Sequence, residues 1–416
     1  MRRVIFIVVV VGVALCNVPP IAGASESGSP APKGLPAFYS VPAKWPSTRP
    51  GTLLKFERVS VSGLDGTAYR VMYVSQGDGG KPVPVTGYVV VPATTAPAGG
   101  WPVVAWSHGT DGMADMCAPS LSIGHSDLSA ADINQFLERG WAFAASDYQG
   151  EGTPGLLPYI VGASAAEDTV NVVRAARHVP GAHTSSNWVD WGHSEGGQTA
   201  MFVDNIGAGY GSDLHLKGVV AGAPPSQFSL IYSFLKTSPY AYYLLMVAAG
   251  YNAYYGDAAA PLNAILTPKA VSLLTALRTS CTSKIAAEVA PYVASKDFTS
   301  LEKVDPFMNK EWKKLLVQND PGQFTKSSVT PLLIIHGGAD EQIPTVSSQV
   351  LYTQLCKLGQ DVSRWVYPGQ SHAGVIAVSA NDMLEWIADR FAGDSTPDPM
   401  TPKGTAQSVP TTQSCN

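Results

Sequence analysis

Five short apolar runs most constrain what this chain can become: "VVAW" (103–106), "WAFAAS" (141–146), "WVDW" (188–191), "GVVAGA" (218–223) and "LLIIH" (332–336). Each is too short for a helix and apolar on both faces, as a buried strand must be. Longer segments separate them, and several carry a helical repeat. "AADINQFLERG" puts Ile133, Phe136 and Leu137 on one face, and "SAAEDTVNVVRAARHV" does the same with Val170, Val173 and Ala176. Strands alternating with helices give βαβ units, hence a mostly parallel central sheet with helices on both faces. Three β-rich runs come first, Phe56–Val61, Tyr69–Val74 and Val85–Val91, with turn residues between them. Those are expected to be antiparallel.

Two intervals depart from the alternation. Residues 25–51 are rich in Pro, Ser and Gly and are expected to form an irregular arm, leaving 52–416 as the main domain. About a hundred residues separate "GVVAGAPP" from "LLIIH", too many for a simple connection. The stretch "SLIYSFLKTSPYAYYLLMVAAGYNAYY" within it is helix-like and aromatic. The expectation is an inserted helical cap at about 228–310. The tail from 393 is rich in Thr, Pro and Ser and is expected to be loose unless Cys415 ties it down.

The chain starts with Arg2 and Arg3, then "VIFIVVVVGVALC", then a small-x-small site at Ala22-Gly23-Ala24. That pattern is a secretory signal cleaved near Ala24, so 1–24 are expected to be removed and the protein secreted. An uncleaved anchor is the alternative; a lipoprotein site at Cys16 is disfavoured by the bulky Leu15. Cleavage leaves Cys117, Cys281, Cys356 and Cys415, an even set compatible with two disulfides in three connectivities. No CxxC pair is present, so a structural zinc site is not expected. With a net charge of −5 and no Lys/Arg-rich run, nothing points to nucleic acid.

Chemistry enters with "DWGHSEGGQTA" (190–200). Gly-x-Ser-x-Gly alone is a weak signal, but here a strand precedes Ser194 and a helix follows it. A strand–serine–helix elbow needs glycines for close packing and leaves the hydroxyl standing above the sheet edge. The similar "GHSDL" (124–128) lacks the second glycine and a preceding strand, so Ser126 is expected to be a loop residue. A serine hydroxyl needs a base, and the base an orienting acid. "HGGADEQIP" supplies Asp340 just past a strand, with Glu341 beside it as the alternative, and "QSHAG" supplies His372 in a later loop. The order Ser194–Asp340–His372 is the one this architecture requires. Of the other histidines, His336 and His193 are placed in the sheet and elbow as structural residues. His178, His183 and His215 have no candidate partner nearby in sequence. Oxyanion donors are expected from the N–H of Glu195 and from Asp111 or Thr110 in "SHGTDG". Asp147 precedes the nucleophile in sequence and suits a structural role.

These residues resemble the secretory lipases of the α/β-hydrolase superfamily, the yeast lipase A-like group. The resemblance covers most of the chain: "DGMADMCAPS", "DYQGEG", "GHSEGG", the long insertion, "HGGADEQIP" and "QSHAG". It implies an α/β-hydrolase fold and a Ser194–Asp340–His372 triad, with Asp111 in the oxyanion hole. It also implies the disulfides Cys117–Cys281 and Cys356–Cys415. Glu195 departs from the group, which has glycine after the nucleophile. The implied activity is hydrolysis of lipid or other esters through an acyl-enzyme, with an acyltransferase or a peptidase as alternatives. No metal or organic cofactor is implied, and the cap is expected to touch a lipid interface transiently.

Overall fold

A computed structural model describes residues 28–125, 128–294, 298–393, 401–405 and 408–415. The expected signal segment 1–24 and Ser126 lie outside the described residues. Ten strands form one sheet: β1 (Leu53–Val59), β2 (Gly66–Gln76), β3 (Pro82–Pro92), β4 (Trp101–Ser107), β5 (Ala142–Ser146), β6 (Thr184–His193), β7 (His215–Gly222), β8 (Leu332–Gly337), β9 (Val362–Tyr367) and β10 (Thr411–Cys415). Their spatial order is β1-β2-β3-β5-β4-β6-β7-β8-β9-β10. The six strands from β5 to β9 in that order are parallel, while β1–β3 and β10 pair antiparallel at the edges.

Helices α1 (Ala130–Glu138), α2 (Gly162–Ala176) and α3 (Glu195–Tyr210) make the first crossovers. Between β7 and β8 come α4 (Phe228–Leu235), α5 (Tyr242–Tyr255), α6 (Leu262–Ile265), α7 (Pro268–Leu273), α8 (Thr282–Ala294) and α9 (Lys310–Gln318). After β8 follow α10 (Thr345–Lys357) and α11 (Gly374–Ala392).

The period-2 alternation of β4 sorts the two faces of the sheet. Val103 and Ala105 join a buried cluster with Val170 and Val173 of α2, Met201 of α3 and Leu351 of α10. Val104 and Trp106 join the opposite cluster with Phe136 of α1, Trp191 of β6 and Trp386 of α11. The helices between β7 and β8 have a separate core. Leu245, Met246 and Tyr251 of α5 pack there with Trp312 of α9 and with Tyr159 of the β5–α2 loop.

The N-terminal arm lies on the domain through Phe38, Tyr39 and Val41, which pack on Met72. At the C-terminus Cys415 supplies the tie on which an ordered tail was expected to depend. Thr411–Cys415 pairs with β9 as an edge strand, and the structure joins Cys356 of α10 to Cys415. A five-residue polar strand has no apolar run to betray it; register comes from its neighbour and from the disulfide. The second disulfide joins Cys117 to Cys281.

Candidate active site

The elbow is fixed by backbone contact. Ser194 sits between β6 and α3 with φ 59° and ψ −120°, a region that non-glycine residues rarely occupy. Its N–H donates to Gly222 O of β7 at 2.9 Å, and its carbonyl accepts from Gln198 N at 3.0 Å. A Cβ on Gly192 would lie 2.1 Å from Gly196 O, and one on Gly196 would lie 1.8 Å from Ser107 O. A Cβ on Gly197 would lie 2.2 Å from Gly222 O. All three glycines flanking Ser194 in the elbow are therefore steric requirements. Glu195 is the first residue of α3, so its N–H lies at the N-terminal end of the helix, directly after the nucleophile candidate.

The candidate acid and histidine follow the last two parallel strands, β8 and β9. Asp340 follows β8, and its Oδ1 accepts from Gln342 N at 2.9 Å and Ile343 N at 2.8 Å. That turn leaves Oδ2 for His372, whose Nδ1 lies 2.7 Å away. Glu341, the alternative acid, instead accepts the backbone N–H of His372 at 3.0 Å. The imidazole thus engages Asp340, and Glu341 holds the loop that carries it. Ser194 and His372 line one cleft, with Gly109 and Thr110 in its wall.

His336 was expected to be structural, and the structure gives it a closer part. It is fully buried, and its Nε2 lies 3.2 Å from Asp340 Oδ2, the same oxygen that meets His372. Nε2 is also 3.0 Å from Ile343 O, and Nδ1 is 2.8 Å from Ser348 Oγ. Ser348 Oγ accepts from Arg364 Nε of β9 at 3.0 Å, and Arg364 Nη1 donates to Gln413 Oε1 of β10 at 2.9 Å. A buried hydrogen-bonded chain therefore runs from the C-terminal strand to Asp340. The i, i+4 spacing of His336 and Asp340 around a Gly-Gly turn was the available signal. Burial alone would push the Asp340 carboxyl upward, but hydrogen bonds from His336 and His372 reverse this and hold it well below the usual carboxylate range. His193 packs its ring 4.6 Å from that of His372, and burial lowers its pKa to about 3, so it is a neutral wall. His215, for which sequence offered no partner, lies 3.2 Å from Ser186 Oγ at the start of β7, away from the elbow.

The loop after β4 is pinned from three sides. Tyr148 stacks on His108 with ring centroids 4.2 Å apart, and Thr110 Oγ1 lies 2.9 Å from Tyr159 OH. The Asp111 carbonyl accepts from Thr282 N of α8 at 3.0 Å, beside the Cys117–Cys281 disulfide. Asp147 is buried under this loop, accepting from Ser120 N at 2.8 Å, while Tyr39 OH lies 2.7 Å from Ser120 Oγ. Burial raises the Asp147 pKa to about 6. The Cys-Ala-Pro-Ser run is thereby an anchor: Cys117 ties it to α8 and Ser120 to Asp147.

A second, apolar chamber opens from Ser194 and Glu195 into the helices between β7 and β8. Phe228, Ile231 and Leu235 of α4 line it with Leu244 and Ala248 of α5.

A model of the family described as secretory lipase matches residues 120–398. A secreted triacylglycerol lipase of Malassezia globosa is 24% identical over 394 residues, covering 90% of this chain and 84% of that protein. A protein of Mycobacterium tuberculosis described as a probable inactive lipase is 23% identical over 378 residues, covering 86% and 82%. In fold, Candida antarctica lipase A in its closed state matches with a TM-score of 0.75 at 19% identity, over 87% of this chain and 86% of that chain. The rice cell wall degrading esterase LipA from Xanthomonas oryzae matches with a TM-score of 0.66 at 17% identity, over 84% and 100%. The sheet, its helices and these neighbours are those of an α/β-hydrolase. The family match spans well over half the sequence and includes the elbow, the Asp340 turn and the His372 loop. This chain belongs to the secretory lipase family, whose members are carboxylic ester hydrolases.

Proposed function

We propose that the protein is a secreted lipase that cleaves lipid esters, triacylglycerols among them, through Ser194, His372 and Asp340. The observation that carries this reading is the apolar chamber that begins at Ser194 itself and is walled by the helices between β7 and β8. A flexible acyl chain needs apolar walls, and each buried methylene contributes roughly 0.8 kcal/mol.

His372 takes the Ser194 proton as the hydroxyl attacks the ester carbonyl, and Asp340 holds the imidazole in register. The N–H groups of Glu195 and Asp111 hold the oxyanion. The alcohol leaves with the proton from His372, and water then cleaves the acyl-enzyme by the same steps in reverse order. The helices between β7 and β8 act as a cap over the acyl chain. Val304 lines the chamber and is 38% exposed, and Met308 close by is 81% exposed, so the cap offers an apolar rim to a lipid interface. Export follows from the basic-then-apolar start and cleavage near Ala24, and agrees with relatives described as secreted.

Labelling with a fluorophosphonate, followed by an ester panel of graded acyl length, tests the reading. Expected are one label on Ser194 and kcat/KM rising from acetate to at least octanoate. No label would place the chain with its probable inactive relative. Product transfer to an alcohol with little hydrolysis would make it an acyltransferase, and amide cleavage a peptidase.

A further inference from the structure

Ser194 stands in the walls of two chambers, and only one of them contains an imidazole. The apolar chamber includes Glu195 but not His372. The other is a cleft between α1 and α11 whose walls include Ser194, His372 and Thr110. Tyr243 of α5 belongs to both walls, and its hydroxyl donates to Gln342 Oε1 at 3.0 Å, so it stands as the partition between them.

Away from Ser194 the cleft has an apolar floor and a polar rim. Trp191 of β6, Phe136 of α1 and Met383 of α11 lie at its base. Asp132 and Gln135 of α1 stand half-buried in its wall. Opposite them stand Ala377 and Ala380 of α11 and Ala373 at its N-cap, whose side chains are too small to reach across.

In ester cleavage the two halves of the substrate part at the serine. The oxygen of the departing alcohol must lie within hydrogen-bond reach of the imidazole that protonates it. That fixes which half goes where: the acyl chain enters the chamber without His372, and the alcohol enters the cleft that contains it. We infer that the cleft between α1 and α11 is an alcohol subsite for a bulky amphiphilic alcohol, an acylglycerol being the simplest case. Its apolar body lies on Trp191, Phe136 and Met383, and its polar end reaches Asp132 and Gln135. This rests on the roles proposed above for Ser194 and His372.

The test holds the acyl group constant and varies the alcohol. Methyl octanoate, dodecyl octanoate and trioctanoylglycerol are presented in micelles of one detergent, with the full-length secreted enzyme and the variants Ala377→Trp and Gln135→Leu. The wild type is expected to favour trioctanoylglycerol over methyl octanoate by at least tenfold in kcat/KM. Ala377→Trp, which fills the cleft from its outer wall, is expected to abolish that preference while methyl octanoate turnover stays within twofold. Gln135→Leu is expected to lower trioctanoylglycerol relative to dodecyl octanoate. Unchanged fluorophosphonate labelling and thermal midpoint confirm that each variant is folded. Equal losses on all three esters, or no loss on any, would overturn the alcohol subsite while leaving the serine mechanism standing. Absence of labelling in the wild type would overturn the mechanism itself.

Discussion

Ser194 and Tyr243 face the same cleft, yet they are held there by different means. Ser194 is fixed by main chain: a positive φ, an N–H bonded to Gly222 O, and glycines with no room for a Cβ. Tyr243 is fixed by surface, through ring contacts with Tyr159, Tyr240 and Tyr242 and one bond to Gln342. The contrast extends to whole regions. Strand ends place the reacting atoms, and the helices between β7 and β8 place apolar area. A backbone constraint fails all at once, because adding a single methyl leaves the strand and helix no room. A surface made of many rings fails by degrees, since neighbours can repack.

The largest effects should therefore fall at the elbow. Ser194→Ala and His372→Ala are each expected to lower kcat by about 10⁴–10⁶, since residues acting as a unit lose nearly everything when one goes. Gly196→Ala should approach the same loss through the backbone, because its Cβ would lie 1.8 Å from Ser107 O. Near-normal turnover by Gly196→Ala, with a folded circular dichroism spectrum, would break the claim that main chain sets the elbow. Asp340→Asn comes next, with a loss of about 10⁴ expected from disturbed imidazole orientation. Glu341→Gln should cost under about tenfold, because the carboxylate only steadies the His372 N–H. Steady-state kinetics on one soluble ester ranks the two, and the reverse order would reassign the acid.

How much of this was legible in the sequence follows the same division. The strands from "VVAW" to "LLIIH" were legible because buried parallel strands are apolar on both faces. The elbow was legible because its glycines are steric necessities, although only two of the three tight positions belong to the usual pattern. That Asp340 and His372 would meet was legible from their order and spacing and from their places just past strand-like runs. His336 was read only as a strand residue, because its one signal, the i, i+4 spacing to Asp340, does not say that the chain turns back to bring the two rings and the carboxylate together. The β10 strand was not legible, because "TTQSC" has neither alternation nor an apolar run and is specified by β9 and Cys356. The outlines of the two chambers were out of reach, although the aromatic insertion did point to apolar space for an acyl chain. Aromatic content announced that surface would be buried, but which rings face a cavity depends on how six helices pack.

His336 offers an intermediate test. His336→Leu removes a donor from the carboxylate oxygen that His372 also uses. With one donor gone, the Asp340 charge falls more heavily on the imidazole. The acid limb of the kcat/KM profile is then expected to move to higher pH, with about a tenfold loss at its plateau. His336→Asn, which keeps a donor, should recover part of both. A uniform loss with an unmoved pH profile would make His336 a packing residue only. In the helices between β7 and β8 the comparison predicts something milder. Leu244→Trp narrows the acyl chamber, and should shift the preferred acyl length toward shorter chains with little change on acetate esters.

The smallest effect is on stability, and it separates the two regions by their buried ionisable groups. Under the sheet, Asp190 of β6 and Asp168 of α2 are fully buried, and burial raises each pKa to about 8. Asp204 of α3 is raised to about 7 by the same cause. Between β7 and β8 the strongly shifted buried groups are tyrosines, Tyr243, Tyr251 and Tyr254, which burial pushes further up, beyond the neutral range. The three aspartates are neutral in the folded state where the unfolded chain has already lost its protons. Above about pH 4 the unfolded state therefore binds fewer protons, so stability falls as pH rises and levels off once each group's folded value is passed, near 7 for Asp204 and near 8 for Asp168 and Asp190. Asp340 works in the opposite sense: its depressed value adds stability at neutral pH that disappears only in strong acid, so it is constant across this window. Thermal midpoints are expected to be several degrees higher at pH 5 than at pH 8.5. Asp190→Asn and Asp204→Asn should each flatten that slope, since an amide keeps a neutral group in place at every pH. Tyr254→Phe, in the other region, should leave the slope unchanged. A midpoint that rises from pH 5 to pH 8.5 would mean that these carboxyls ionise in the folded protein, and the core beneath the sheet would have to be far wetter than its packing indicates.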